Sequence, residues 1–148
     1  MRLWRISRYP VLDGQGGLVA DGRWHTKGRH VTYAALHSAT ALLEWIVHLE
    51  ISASQIPAAI PFAVIEAPDD ISLERAANLQ ANWRYDTIAT QRLGNEWLES
   101  KRTALLLVPS VLAPETENVL INPQHRDARR IAPPSRLDYP FDRRFLKV

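Results

Sequence analysis

The stretch "DGRWHTKGRHVTYAALHSATALLEWIVHL", residues 21–49, changes its hydrophobic rhythm midway, and that change sets the fold class. "VTYAAL" reads as a strand, and "GRWH" before it as another, with "TKGR" between them supplying a glycine for a turn. From Ser38 the period lengthens. Leu42, Trp45, Ile46 and Leu49 recur at i, i+3, i+4 and i+7, the spacing of one buried stripe on a helix. Ser38 stands where an N-cap would accept from a free backbone N–H of the first turn. Glu44 lies off the stripe, in line with Thr40 and His48, so the period places it toward water or toward a cleft.

Working outward, "LWRIS" near the start reads as a short strand. "LDGQGG" reads as a loop, with three glycines in four positions. "AAIPFAVIEAP" reads as a strand whose Pro61 favours an edge or an irregular start, and "DDISLERAANL" as a short turn or helix. "TQRLGNEWLES" is a predicted helix capped by Thr90, with Leu93, Trp97 and Leu98 on its apolar face and Gly94 weakening it. "TALLLVPSVLAP" is a buried strand ending at Pro109, "NVLINP" its antiparallel partner, and residues 144–148 a final strand. Strands outnumber helices and occupy both ends of the chain. The expectation is therefore one α+β domain over residues 1–148, with mainly antiparallel sheets and flanking helices.

Composition narrows the function classes. With 46% hydrophobic and 23% charged residues, the 148-residue chain has material for one real core and is neither disordered nor fibrous. The absence of cysteine excludes disulfides, a thiol nucleophile and cysteine-held zinc, and fits a cytoplasmic setting. "MRLWRISRYP" has no apolar core of a secretory signal, and no apolar run approaches a membrane span, so no membrane association is expected. The net charge of +2 hides basic ends around an acidic middle. Its arginines are not interleaved with a periodic row of aromatics, so no direct nucleic-acid binding is expected.

Several chemistries fall for want of their residues. His25, His30, His37, His48 and His125 are scattered without metal-ligand spacing, so no metal is expected. The glycine loop lacks a following Gly-Lys-Ser/Thr, and Ser110 in "VPSVL" lacks the G-x-S-x-G elbow. Two-carboxylate glycoside hydrolysis wants two acids flanking the bond, and only Glu44 lies in a region with other candidate site residues. One glycosidic bond needs only a single carboxylate. The nicotinamide of NAD is already a pyridinium and leaves as a neutral molecule, so no general acid is required. What remains is to stabilise an oxocarbenium-like ribose, and a preorganised carboxylate does this. Arginine meets the pyrophosphate through its planar fork, and an aromatic ring meets the nicotinamide. Arg23, Tyr33 and Glu44 are those residue types. Taken singly, each has a blander reading: a surface-strand arginine, a core tyrosine and a solvated helix acid.

The chain resembles the RES-domain family, the toxin halves of bacterial toxin–antitoxin pairs. The resemblance rests on "GRW" at Arg23, "ALLEW" at Glu44 and "VPS" at Ser110, the arginine, glutamate and serine shared by that family. It extends to Tyr33 in "VTYAA", to "GNEWLES", "NVLINP" and the terminal "FDRRF", and so covers nearly the whole chain. One departure is "RWHTKG", where the family more often has asparagine at the position of His25.

The resemblance implies an ADP-ribosyltransferase-like fold and an enzyme with NAD as substrate rather than cofactor. It implies cleavage at the nicotinamide–ribose bond, by hydrolysis or phosphorolysis, that depletes cellular NAD. Transfer of ADP-ribose to a specific protein is the alternative, and an RNA-directed toxin a further one. A cognate Xre-like helix-turn-helix antitoxin is the implied partner. Glu44 and Arg23 become the candidate catalytic residues. Arg23, Tyr33, Ser110 and Asn122 become candidate substrate contacts, with Ser110 orienting a ribose or phosphate oxygen. Arg5 and Lys27, near the site in sequence, are further phosphate-holding candidates.

Overall fold

The computed structural model describes residues 1–48 and 57–146. Seven strands form one sheet: β1 (Arg2–Ile6), β2 (Thr32–Ala35), β3 (Ala59–Glu66), β4 (Leu73–Arg75), β5 (Leu105–Pro109), β6 (Glu117–Ile121) and β7 (Ser135–Pro140). The helices are a four-residue α1 (Gly16–Val19), α2 (Ser38–Val47) and α3 (Thr87–Ser100), with 3-10 turns at Arg126–Arg130 and Arg143–Leu146. The sheet runs β4-β5-β6-β2-β1-β3-β7. All neighbours are antiparallel except β4 and β5. The architecture is α+β in a single domain.

Strand alternation explains the run "ALLLV". Leu105 and Leu107 point into a cluster with Leu3, Ile65, Val119 and Ile121 on one face of the sheet. Leu106 and Val108 point to the other face, where Trp97 and Leu98 of α3 cover them together with Leu120 and Trp24. A strand covered on both faces reads as continuous apolar sequence rather than as an alternation. On this second face, farther along the sheet, Ala41, Leu42 and Trp45 of α2 pack near Ala35, Ile60, Phe62 and Trp4. Both longer helices thus lie on the same side of the sheet, α3 over β5 and β6 and α2 over β2, β1 and β3.

Several sequence expectations are corrected. "GRWH" is not a strand; its only ladder contact is an isolated bridge between Gly22 and His25, because the segment bends back on itself and is held by side chains instead. Part of the glycine loop winds into α1. The N-cap of α2 is His37 with no side-chain cap, so Ser38 is already inside the helix. Asp86, not Thr90, caps α3, its carboxylate accepting from the Ala89 N–H. Leu73–Arg75 is a strand, paired in parallel with Leu105–Leu107, and "DDISLERAANL" is therefore not helical. Pro61 sits in β3, between β1 and β7 rather than at the sheet edge; its carbonyl accepts from the Ser7 N–H. The last strand lies at Ser135–Pro140, before the expected 144–148, because Leu137 and its neighbours find β3 as partner and Asp142 starts a 3-10 turn. Leu49 of the helical stripe and residues 147–148 lie outside the described residues.

Candidate active site

Between α2 and the loop before β2 opens a cavity of about 820 Å³, at the upper end of the range for small-molecule sites. Its wall includes Arg23, His25, Tyr33, Glu44 and Asn118. Ala41, Glu44, Trp45 and Val47 of α2 line it, together with the C-cap residue His48. Glu44 and His48, which the period left open between water and a cleft, border the cleft, whereas Thr40 is buried and does not line it.

Glu44 is held through one oxygen. Its Oε1 accepts from Asn118 Nδ2 at 2.6 Å and from Ser110 Oγ at 3.1 Å. The Ser110 hydroxyl also accepts from the backbone N–H groups of Leu112 and Ala113, and the residue is 1% exposed. Its donor and its lone pairs are spent inside the protein. Ser110 therefore supports the carboxylate and does not offer a hydroxyl to a ligand, a role different from the expected one.

Tyr33 projects from β2 beneath the loop of residues 22–26. Its hydroxyl accepts from the Trp24 N–H at 3.2 Å and lies 2.8 Å from His25 Nδ1. The other imidazole nitrogen, Nε2, faces the Ala20 carbonyl at 3.1 Å. A carbonyl only accepts, so Nε2 carries the hydrogen, and in a neutral ring Nδ1 is then an acceptor. The Tyr33 hydroxyl accordingly donates to His25. Burial lowers the His25 pKa and so favours the neutral ring, with the Ala20 hydrogen bond and Asp21 opposing and Arg29 adding to the shift. Burial likewise raises the Tyr33 phenol, partly offset by the Trp24 hydrogen bond and Arg23. With the hydroxyl engaged on both sides, Tyr33 has its ring left to offer.

Arg23 is placed by α3. Its carbonyl accepts from Thr90 Oγ1 at 2.7 Å, and its guanidinium donates one bond, to the Arg84 carbonyl at 3.0 Å. The neighbouring loop residues are clamped to the same helix. Gln91 Nε2 donates to the Gly22 carbonyl, and Asn95 bonds both the backbone N–H and the hydroxyl of Thr26. Gly94 admits the Trp24 backbone so closely that a Cβ there would lie 1.8 Å from the Trp24 carbonyl oxygen. Among the described residues the Arg23 guanidinium has no other partner, which leaves most donors of its fork for a ligand.

The other candidates fall elsewhere. Asn122 is buried at the rim of a second, smaller cavity, donating to the Leu98 carbonyl and accepting from the Gln124 N–H. Those backbone bonds occupy its amide, and it does not border the main cavity. Lys27 is exposed, its N–H bonded to Asp21. Arg5 borders the main cavity from β1, although alternation sets its side chain opposite Trp4; burial lowers its pKa and Asp13 opposes that shift. Asp21 is the other acid on the wall, and it is exposed. Among the described residues, no group of three or more His, Asp or Glu is arranged to hold a metal ion, and no helix is long and apolar enough to cross a membrane.

Sequence reasoning missed Asn118 and the clamp made by Thr90, Gln91, Gly94 and Asn95. The signal for Asn118 was a polar residue opening the apolar run "VLI". Only Asn122, the asparagine at the other end of the same motif, was singled out.

The description of the RES domain matches residues 2–142. This chain belongs to the RES-domain family. Among its relatives, "Toxin Res" of Pseudomonas putida is 44% identical over 129 residues, covering 87% of this chain and 89% of that one. The "Prs ADP-ribosylating toxin" of Sphingobium sp. is 38% identical over 156 residues, covering 97% and 96%. A solved chain of the M. tuberculosis MbcT–MbcA toxin–antitoxin complex superposes with a TM-score of 0.71 over 94% of this chain and 82% of that one. At 16% identity that likeness shows a shared fold. These relatives are named toxins, and the solved neighbour is part of a toxin–antitoxin complex.

Proposed function

We propose that this RES-domain chain cleaves NAD at the nicotinamide–ribose bond, with NAD as its substrate and no further cofactor. The observation that supports this most is the state of Glu44. One carboxylate oxygen is tied down by Ser110 and Asn118, and the side chain borders a cavity whose wall also carries Arg23 and Tyr33. In this reading the C–N bond breaks with its electron pair moving onto the pyridinium nitrogen. Nicotinamide leaves neutral. The positive charge left on the ribose is stabilised by the second Glu44 oxygen, bonded to a ribose hydroxyl. Arg23 holds pyrophosphate oxygens and the Tyr33 ring supports the nicotinamide. An oxygen nucleophile then closes onto the anomeric carbon.

Water or inorganic phosphate as that nucleophile makes the chain an NAD-degrading enzyme. The name of the Sphingobium relative favours a second reading, in which a protein side chain takes the ADP-ribose. Purified protein with NAD alone separates the two. Nicotinamide release without any added acceptor supports degradation, and release that requires a protein acceptor supports transfer. Glu44→Gln keeps the size of the side chain but removes its charge, and is expected to abolish nicotinamide release while the circular dichroism spectrum is retained. Release at the wild-type rate removes Glu44 from the mechanism. A cytoplasmic setting and an Xre-like antitoxin partner belong to the same proposal, and a helix-turn-helix protein copurifying with this chain would support the latter.

A further inference from the structure

Asn118 is the fixed point of the site. Its backbone stands between two neighbours, opposite Val108 of β5 and Ala35 of β2, so its Cα cannot shift without breaking the interior of the sheet. Its amide orientation is also determined. A carboxylate only accepts, so the group facing Glu44 Oε1 at 2.6 Å is the NH₂. Ser110 approaches the same oxygen at 3.1 Å from just beyond β5, where its N–H bonds the Thr116 carbonyl across the hairpin. The β5–β6 hairpin thus presents two donors, one from β6 and one from the residue after β5, to one oxygen of a carboxylate carried on a separate helix. Of these two donors, Asn118 makes the shorter bond, and it borders the cavity itself.

A glutamate on a helix has three rotatable side-chain bonds, and a carboxylate that samples several rotamers stabilises developing charge poorly. Preorganisation is what gives such a group its effect. We propose that Asn118 is a positioning residue for Glu44: it fixes the carboxylate plane from the β6 side, with Ser110 as the weaker second tie, so that Oε2 is the oxygen presented to the substrate. This rests on the NAD reading above for its chemistry, but not for its contact.

The test compares Asn118→Asp, which keeps the shape and replaces the donor with an acceptor, with Asn118→Ala and Ser110→Ala. A charge-assisted hydrogen bond of this kind corresponds to a loss of about tenfold or more in kcat. Asn118→Asp is expected to show at least that loss, while the calorimetric Kd for NAD moves less than about threefold, the split a misaligned carboxylate gives. Since either tie alone still holds Oε1, the Asn118→Ala/Ser110→Ala double variant is expected to lose more than the product of the single losses. A wild-type kcat in Asn118→Asp overturns the proposal. So does a weakening of Kd as large as the fall in kcat, which would make Asn118 a ligand contact. The contact is also read without substrate: in protein labelled with 13C at glutamate carboxyls, the Glu44 resonance, assigned with Glu44→Gln, is expected to move in Asn118→Ala. An unmoved resonance overturns the proposal even if Asn118→Asp fails to fold. If wild-type protein releases no nicotinamide, the NAD reading fails and the resonance alone decides the positioning role.

Discussion

The Tyr33 hydroxyl donates its hydrogen to His25 Nδ1 across 2.8 Å, and a carbonyl on the far side of the imidazole sets that direction. The arrangement requires a neutral His25. Asp21, Arg29 and Tyr33 are the titratable groups that bear on it. Because the folded-state pKa is lowered by burial, the unfolded chain binds the proton more readily. The resulting stabilisation is complete above the ordinary histidine value of about 6.5 and is lost as pH falls from there through the folded value. Melting temperature is therefore expected to decline between pH 7 and pH 5, and to decline less in His25→Asn. Equal declines would show that another group carries the effect.

Tyr33 should separate into ring and hydroxyl functions. Tyr33→Phe leaves the Trp24 N–H without its acceptor and His25 Nδ1 without its donor, a loss of roughly 1–3 kcal/mol in stability. It keeps the ring, so NAD affinity is expected to stay within a few-fold of wild type, whereas Tyr33→Ala is expected to lose most binding. A stable Tyr33→Phe protein with no nicotinamide release would instead assign the hydroxyl to the chemistry.

At Gly94 two effects oppose each other. Alanine gains about 1 kcal/mol over glycine in helix propensity. Its Cβ would meet the Trp24 carbonyl oxygen at 1.8 Å, a backbone atom with no rotamer to move. Overpacking of this kind costs about 1–3 kcal/mol or more, so the clash wins. Gly94→Ala is expected to lower the melting temperature by several degrees and to reduce activity by displacing the Arg23–His25 loop. A raised melting temperature in a differential scan would show that α3 and the loop are not locked together.

Among the described residues the Arg23 guanidinium makes one bond, to the Arg84 carbonyl, which leaves the rest of its fork for an anion. Arg23→Ala is expected to weaken NAD binding by about tenfold to a hundredfold, the range for charge-assisted hydrogen bonds. Arg23→Lys should fall between, restoring charge without the planar fork. Unchanged affinity in the alanine variant, measured by calorimetry, would reject the phosphate role.

Long-period and strongly apolar segments were legible directly. The helix at α2, the "ALLLV" strand and its pairing with "NVLI" follow from local spacing, although the residues α2 buries are Thr40 and Ala41 while Leu42, Trp45 and Ile46 are only half-buried. The motif residues Arg23, Tyr33 and Glu44 meet at one cavity. "GRWH" and residues 71–75 were misread because each is short, and short segments take their conformation from distant partners: α3 for the first, β5 for the second. Thr90 illustrates the same limit. By local rules it is a helix cap, yet its hydroxyl holds the Arg23 carbonyl, 67 residues away in the chain.

The amino-acid order by itself determined which side chains are available: a single glutamate on a strongly periodic helix, an arginine and a tyrosine upstream, and no cysteine. Only the tertiary structure decided their duties. Whether Glu44 met water or a cleft, whether Ser110 faced ligand or carboxylate, and which asparagine of "NVLIN" reached the site all depended on sheet order. The reason is physical. Local periodicity specifies the direction of a side chain relative to its own element, whereas the partner it meets is set by strand pairings between residues far apart in sequence, as where β2 aligns Ala35 with Asn118.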